Sequence, residues 1–241
     1  MDPRRLLVTD LDGTLLGDDA GLARFREWLA PRRSQERLVY ASGRHLASIQ
    51  ALVEGSVLPR PDAMISAVGT EIHDPDGRAM PGWTDRFVDW DAGRVRDVLR
   101  PFRWLMPQAA EFQTSVKVSY EVEGLTDSDH ETLRRKLLEA GVKATVVYSG
   151  GRYLDILPAR AGKGMATHFL AEVWRIGPDE ILAFGDSGND TELLSSGFRG
   201  TIVANAQPEL RLAVDPMVYR SPRSFADGVI DGIRHWSEVV T

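Results

Sequence analysis

The chain has 241 residues, 43% of them hydrophobic, no cysteine and a formal net charge of -6. That length and apolar content support a large core and exclude a disordered chain. The missing cysteines exclude disulfides and thiolate metal sites, and the acidic balance argues against a nucleic-acid partner, which calls for a basic face.

No apolar run approaches the roughly 20 residues that span a bilayer, and the amino terminus leads into the first apolar run with no room for a signal peptide. A cytoplasmic protein without a membrane partner is therefore expected. The first element in chain order is a strand over Leu6–Thr9, an unbroken apolar run that fits a parallel strand buried on both faces. It ends on Asp10-Leu11-Asp12-Gly13-Thr14. Side chains alternate along an extended segment, so Asp10 and Asp12 are expected to point the same way. Two carboxylates that close repel unless a cation or a shared proton offsets them. Gly13 and Thr14 suit a turn whose N–H groups face an anion. The carboxyl edge of an open α/β sheet is also where ligands bind.

A helix follows over residues 20–29, with Leu22, Phe25, Trp28 and Leu29 at helical spacing. The next strand, 38–41, runs into Ala41-Ser42-Gly43-Arg44, whose hydroxyl and glycine N–H can hold phosphate oxygens. A helix over 46–53 and a strand over 63–68 continue the alternation. This rhythm predicts an α/β fold: a doubly wound, Rossmann-like parallel sheet with right-handed crossovers.

The rhythm breaks at Pro75-Asp76-Gly77 and Pro81-Gly82. Up to Pro158 the order becomes a helix over 95–104, a strand over 116–122 that alternates as one with a wet face does, and a second helix. That helix, over 133–138, follows the N-cap cluster Thr126-Asp127-Ser128-Asp129 and stops at Gly141. Strands over 146–148 and 153–157 flank Ser149-Gly150-Gly151. The segment predicts an inserted α+β unit, an open antiparallel sheet with two helices. The expected organisation is a core from residues 1–79 and 158–241 with the insertion over 80–157.

Parallel rhythm then resumes. A helix over 163–174 opens on Gly162-Lys163-Gly164, where a lysine adds positive charge beside exposed helix N–H groups. Walker spacing is absent. The strand 181–184 runs into Gly185-Asp186-Ser187-Gly188-Asn189-Asp190, whose hard oxygen donors suit Mg²⁺. A short helix over 192–194, a strand over 201–203 and helices over 208–214 and 226–236 close the chain. Gly-Asp-Ser-Gly also occurs at the nucleophile of chymotrypsin-like proteases. Those are all-β and usually disulfide-bonded, and none of the 5 histidines here has a supporting context.

Together these stretches resemble the haloacid dehalogenase superfamily of phosphohydrolases. Asp10–Thr14 matches its nucleophile motif, Ser42 its second motif, Lys163 its third and residues 185–190 its fourth. The insertion is similar to the large α/β cap of that superfamily's sugar phosphatases. Val68-Gly69-Thr70-Glu71-Ile72, Tyr148-Ser149-Gly150-Gly151, Leu154–Pro158 and Val203–Leu210 narrow the likeness to sucrose-6-phosphate phosphatases. Ala41-Ser42-Gly43-Arg44 and the ending over 226–236 look closer to mannosylfructose-phosphate phosphatases.

The resemblance implies a Mg²⁺-dependent phosphatase that hydrolyses a disaccharide phosphate, sucrose 6-phosphate first, through an aspartyl phosphate. The alternatives are mannosylfructose phosphate or another sugar phosphate, then a phosphomannomutase-type phosphotransferase or a non-catalytic sugar-phosphate-binding domain. It implies Asp10 as nucleophile and Asp12 as general acid and base. Asp10, the Asp12 carbonyl, Asp186, Asn189 and Asp190 would surround Mg²⁺, and Gly13, Ser42, Gly43 and Lys163 the phosphate. Glu71, Lys117, Ser149 and Asp155 are the expected sugar contacts, because such groups on or near the cap can pair with hydroxyls. Lys117, on an alternating strand, is equally compatible with a solvated position. The upstream glycosyltransferase is the implied macromolecular partner.

Overall fold

A computed structural model describes residues Arg5–Glu238. In chain order its elements are β1 (Arg5–Thr9), α1 (Asp19–Leu29), β2 (Glu36–Ala41), α2 (Leu46–Glu54), β3 (Ala63–Ser66) and β4 (Glu71–His73). The insertion contributes α3 (Ala92–Leu99), β5 (Met106–Pro107), β6 (Val118–Glu121), α4 (Asp127–Glu139), β7 (Ala144–Ser149) and β8 (Tyr153–Pro158). The remainder is α5 (Lys163–Trp174), β9 (Ile181–Gly185), α6 (Thr191–Leu194), β10 (Arg199–Ile202), α7 (Pro208–Ala213), β11 (Tyr219–Arg220) and α8 (Phe225–Glu238).

The main sheet has 7 strands in the order β11-β10-β9-β1-β2-β3-β4, parallel throughout except for the β3–β4 hairpin at one edge. β1 lies between β2 and β9, so the chain winds outward in one direction before the insertion and in the other after it. The carboxyl ends of β1, β2 and β9 therefore meet at the topological switch point, the crevice in which such sheets bind ligands.

Alternation along the strands divides the core. Leu6, Val8, Val39 and Ala183 pack on one face with Leu170 of α5 and Leu193 of α6. Leu7, Leu38 and Leu182 pack on the other with Phe25 of α1, Ile49 of α2 and Ile233 of α8. Both faces are dry, which is why these strands read as continuous apolar runs.

The insertion forms a second, antiparallel sheet, β5-β6-β8-β7. Val118, Tyr120, Leu154 and Ile156 point from it towards Val95 and Leu99 of α3 and Leu133 and Leu137 of α4. The opposite face carries Ser119, Asp155, Val147 and Ser149, since Ser119 pairs with Asp155 and Val147 with Asp155 across the ladder. That face turns to the main domain: Leu157 and Val147 join its core cluster.

Several sequence expectations shift at their ends. The helix expected over 95–104 instead covers Ala92–Leu99. Arg100 keeps helical backbone as the C-cap, but Pro101 offers no N–H for the next helical bond and its ring would crowd the carbonyl four residues back, so the helix ends there. The strand expected over 63–68 stops at Ser66, because Ala67 and Val68 take positive φ values of 49° and 58°. The strand expected from 116 starts at Val118, because Thr114 Oγ1 accepts the Val116 N–H and holds that stretch in a turn. The two-residue β11 and the antiparallel β4 are too short to leave a period in the sequence. Among the described residues, no helix is long and apolar enough to cross a membrane.

Candidate active site

Three buried carboxylates, Asp10, Asp186 and Asp190, converge at the switch point, each offering an oxygen within 4.8 Å of the others. Asp10 follows β1, and the loop after β9 delivers the other two. Lys163, fully buried at the first position of α5, enters from beneath. Its Nζ donates to Asp10 Oδ1 at 2.7 Å, Asp190 Oδ1 at 2.6 Å and Asn189 Oδ1 at 2.8 Å. All three of the ammonium's protons are thereby committed.

The remaining oxygens have distinct duties. Asp190 Oδ2 accepts the N–H groups of Asp186 and Ser187, tying its own loop closed. Asp186 Oδ1 accepts Thr14 Oγ1 at 2.8 Å. Asp190 and Asn189 thus serve the lysine and the loop, while among the described residues no N–H, hydroxyl or ammonium donates to Asp10 Oδ2 or Asp186 Oδ2, and the two carboxyl groups lie within hydrogen-bond reach of each other. Burial, then the charge of Asp190, pushes the Asp186 carboxyl up to about 7. Burial also raises Asp10 well above the usual carboxylate range, against the pull of Lys163 and with the push of Asp190 and Asp186. Burial by itself would lower Lys163, but the charges of Asp10 and Asp190 outweigh it and hold the ammonium ionised. Three carboxylates around one ammonium leave uncompensated negative charge, and hard oxygen donors in that state fit a small divalent cation.

Asp12 stands apart. Its side chain is 56% exposed and outside the buried cluster, gripped by the guanidinium of Arg44. The expectation that Asp10 and Asp12 share a face as a carboxylate pair is therefore corrected. The chain leaves extended geometry after Thr9, as the N–H groups of Thr14, Leu15 and Leu16 all turn back onto the Leu11 carbonyl.

Gly13 also differs from expectation. Its N–H donates to the Leu16 carbonyl at 3.2 Å instead of being reserved for an anion. What the position requires is space: φ is +83°, and an added Cβ would lie 2.3 Å from Asp186 Oδ2. Gly13→Ala is accordingly expected to lower stability by about 1–3 kcal/mol, read as an earlier thermal unfolding transition by circular dichroism. An unchanged transition would mean that the turn can rearrange.

Ser42 is buried after β2; its N–H donates to the Ile65 carbonyl at 2.9 Å and its Oγ accepts the Arg44 N–H at 3.2 Å. The hydroxyl proton and the Gly43 N–H find no acceptor among the described residues, so both can serve an anion. Gly69 packs so tightly on the start of α5 that a Cβ would lie 2.1 Å from the Gly162 carbonyl carbon. This contact sets where Lys163 begins its helix.

Of the four expected sugar contacts, Lys117 and Asp155 form one buried unit. Lys117 Nζ lies 3.1 Å from Asp155 Oδ1, which also accepts Ser119 Oγ. Lys117 is 4% exposed, which rules out the solvated alternative. Ser149 is buried at the end of β7, which packs on the turn at Gly188–Asp190. Glu71 belongs to the main sheet, where Oε2 accepts Ser66 Oγ at 2.9 Å.

Four further side chains support the site without a part in the sequence expectations, which gave Thr14 only a backbone N–H for an anion, a group that instead donates to the Leu11 carbonyl. Thr14 anchors Asp186. Glu192 Oε2 and Oε1 accept the Gly164 and Met165 N–H groups at 2.6 and 2.8 Å, neutralising the first turn of α5 just past Lys163. Asn205 Nδ2 donates to the Gly13 carbonyl at 2.7 Å. Arg44 holds Asp12. Thr14, Arg44 and Asn205 lay inside recognised motifs, which was their only sequence signal; Glu192 had none beyond its place in a short helix.

Residues 3–237 match the family described as Sucrose-6F-phosphate phosphohydrolase. The chain is 38% identical to a mannosylfructose-phosphate phosphatase of Agrobacterium fabrum, covering 98% of each. It is 35% identical to probable sucrose-phosphatase 2 of Arabidopsis thaliana, covering 97% of this chain and 60% of that protein. It thus spans about three fifths of the plant sucrose-phosphatases it matches. The crystal structure of the sucrose-phosphatase of Synechocystis in complex with sucrose and phosphate superposes with a TM-score of 0.93 at 34% identity, over 98% of both chains.

Proposed function

This chain belongs to the sucrose-6F-phosphate phosphohydrolase family, and from that membership we propose that it hydrolyses a disaccharide phosphate, sucrose 6-phosphate first, to the free sugar and phosphate. The observation that carries the reading is the buried Asp10 carboxylate, set beside Lys163 and Asp186 where three parallel strands end. An isolated carboxylate in that position would be expelled or neutralised; here it is held for use.

In the proposed reaction an Asp10 oxygen attacks phosphorus, and the bond from phosphorus to the sugar oxygen breaks. Asp12 gives its proton to the departing alkoxide. Asp12 then takes a proton from water as that water attacks the aspartyl phosphate, releasing inorganic phosphate and restoring Asp10. Ser42 and the Gly43 N–H hold the equatorial oxygens, and Lys163, its protons spent on Asp10, Asn189 and Asp190, stands beside the phosphate as a fixed positive charge. Asp10 and Asp186, with the Asp12 carbonyl, would hold Mg²⁺, which when bound offsets the charge of the phosphate and the carboxylates. Asn189 and Asp190 keep Lys163 and the loop in place around it.

Residues 80–157 act in this reading as the cap that closes over the sugar. Polar and ring contacts join its edge to the main domain beside the packing of β7: the Gly150 N–H donates to Glu209 Oε1 at 3.2 Å, and the Phe112 and His45 rings lie 6.3 Å apart. Lys117, Asp155 and Ser149 lie on the cap face that turns towards the main domain, and Glu71 lies at the start of β4 in the main sheet. The sugar phosphate is the substrate, the glycosyltransferase that makes it the proposed partner, and the cytoplasm the proposed location. Mannosylfructose phosphate remains the second reading, favoured by the 38% identity over nearly full length.

The test is phosphate release from sucrose 6-phosphate, mannosylfructose phosphate, trehalose 6-phosphate and simple hexose phosphates. A disaccharide phosphate should exceed the hexose phosphates by at least about tenfold in kcat/KM. A phosphotransferase would instead need an acceptor sugar before consuming its donor.

Cation binding has its own readout. A carboxyl raised to about 7, as Asp186 is, keeps a proton that the unfolded chain has already lost. Metal-free stability therefore falls as pH rises towards that value. The cation needs the ionised form. The rise in Tm caused by Mg²⁺ should thus grow between about pH 5.5 and about pH 8. An equal rise at both ends would remove Asp186 from the donor set.

A further inference from the structure

Arg44 has no part in the reaction described so far, yet its side chain is among the most completely fixed near the site. Nε donates to Asp12 Oδ2 and Nη2 to Asp12 Oδ1, each at 2.7 Å. This is the parallel fork that arginine makes with a carboxylate and that lysine, a point charge, cannot make. The third nitrogen, Nη1, donates to Ser48 Oγ at 2.8 Å in the first turn of α2. Three bonds therefore set the plane of the guanidinium.

The backbone beneath is held as firmly. The Ala67 N–H donates to the Arg44 carbonyl at 2.9 Å, and the Val68 N–H donates to the Ser42 carbonyl at 3.0 Å. Both Ala67 and Val68 have positive φ. A branched side chain in that region costs on the order of 1–3 kcal/mol and persists only where its surroundings over-determine it. Here the strained turn spends its N–H groups on the segment that carries Arg44. Asp12, by contrast, is placed by little else. Among the described residues no other group bonds its carboxylate, and the side chain is otherwise half in solvent.

We infer that Arg44 is the positioning residue for the Asp12 carboxyl group, fixing the direction from which it reaches the scissile oxygen. The inference rests on the phosphatase reading, in which Asp12 protonates the leaving alkoxide. Two bonds suit this task better than one. When one Asp12 oxygen carries the proton to be transferred, it gives up its arginine donor, while the other oxygen stays tethered. After transfer the carboxylate is again held on both oxygens, ready to accept a proton from water.

The role predicts sensitivity to the leaving group, which a purely structural role or a phosphate-binding role does not. A sugar alkoxide needs a proton as it departs; p-nitrophenolate does not. The experiment compares Arg44→Gln with the wild type on p-nitrophenyl phosphate and on the best sugar phosphate of the panel. It uses kcat/KM, which covers only the steps up to loss of the leaving group. For the sugar phosphate kcat/KM should fall about 100-fold, in the range that general acid catalysis supplies. The fall for p-nitrophenyl phosphate should be smaller by at least a factor of about 20. Arg44→Lys should recover only part of the difference, and inhibition by inorganic phosphate should stay within about twofold of wild type in both variants.

An equal fall for both substrates, or no fall for either, would overturn the inference and leave the phosphatase reading standing. A wild-type protein that turns over neither substrate would overturn that reading and this inference with it.

Discussion

Asp10→Asn is expected to lower turnover by a factor on the order of 10⁴ or more, because an amide oxygen cannot form the acyl phosphate on which both half-reactions depend. The measurement is phosphate release under saturating substrate and Mg²⁺, with a folded-state control. The control carries its own prediction. Asp10 is buried, with Asp190 and Asp186 as like-charged neighbours and Lys163 as the opposing charge bonded to it. Removing its charge leaves Lys163 paired with Asp190 at 2.6 Å and relieves repulsion within the cluster. The metal-free variant should therefore melt no lower than wild type, while its stabilisation by Mg²⁺ should shrink. Retained turnover would reject Asp10 as the nucleophile. A loss of turnover accompanied by unfolding would show that the carboxylate is structural first.

Lys163→Met is expected to act oppositely on stability. Lys163 is fully buried and bonded to three oxygens, two of them on carboxylates with almost no exposure. Breaking a buried ion pair by removing one partner typically costs about 3–5 kcal/mol, because the other charge is left unpaired in a low-dielectric setting. Two carboxylates are orphaned here, so the metal-free protein should lose roughly 10 °C in Tm. Activity should also fall by at least about 10³-fold, since the fixed positive charge beside the phosphate and the anchor of Asp10 vanish together. Mg²⁺ should restore part of the stability and little of the activity. A variant with wild-type Tm would mean that Asp10 and Asp190 do not depend on Lys163 for their buried positions.

These two variants separate the site into what performs the reaction and what keeps it charged. In the proposed reaction Asp10 supplies the nucleophile at a cost in repulsion, and Lys163 makes that repulsion tolerable. Glu192 extends the same logic one shell outward, because its carboxylate caps the helix whose first residue is Lys163.

Much of this was legible from residues near one another in the chain. The apolar run Leu6–Thr9, the helix that begins at Lys163 and the hairpin around Gly150 follow from period, capping and turn chemistry, which act over a few residues. The acidic loop 185–190 was readable as a source of clustered carboxylates at the sheet's carboxyl edge because it follows a buried strand. The end of α3 was misjudged although Pro101 was in view. The apolar period continued past the proline, and backbone geometry overrode it.

What local pattern could not supply were the pairings made across the chain. Thr14 meets Asp186 over 172 residues, and Lys163 meets Asp10 over 153. Asp12 left the carboxylate pair for Arg44, a choice settled by how the turn after β1 curls and by the strained turn at Ala67 and Val68. Lys117, which alternation alone left as either solvated or engaged, was decided by Asp155 on a neighbouring strand. The sequence thus determined which groups would gather at the sheet's carboxyl edge, because strand order and motif position are written in local periodicity. Only the tertiary structure decided which oxygen each donor would hold, because bonds of a few ångströms depend on packing summed over the whole core.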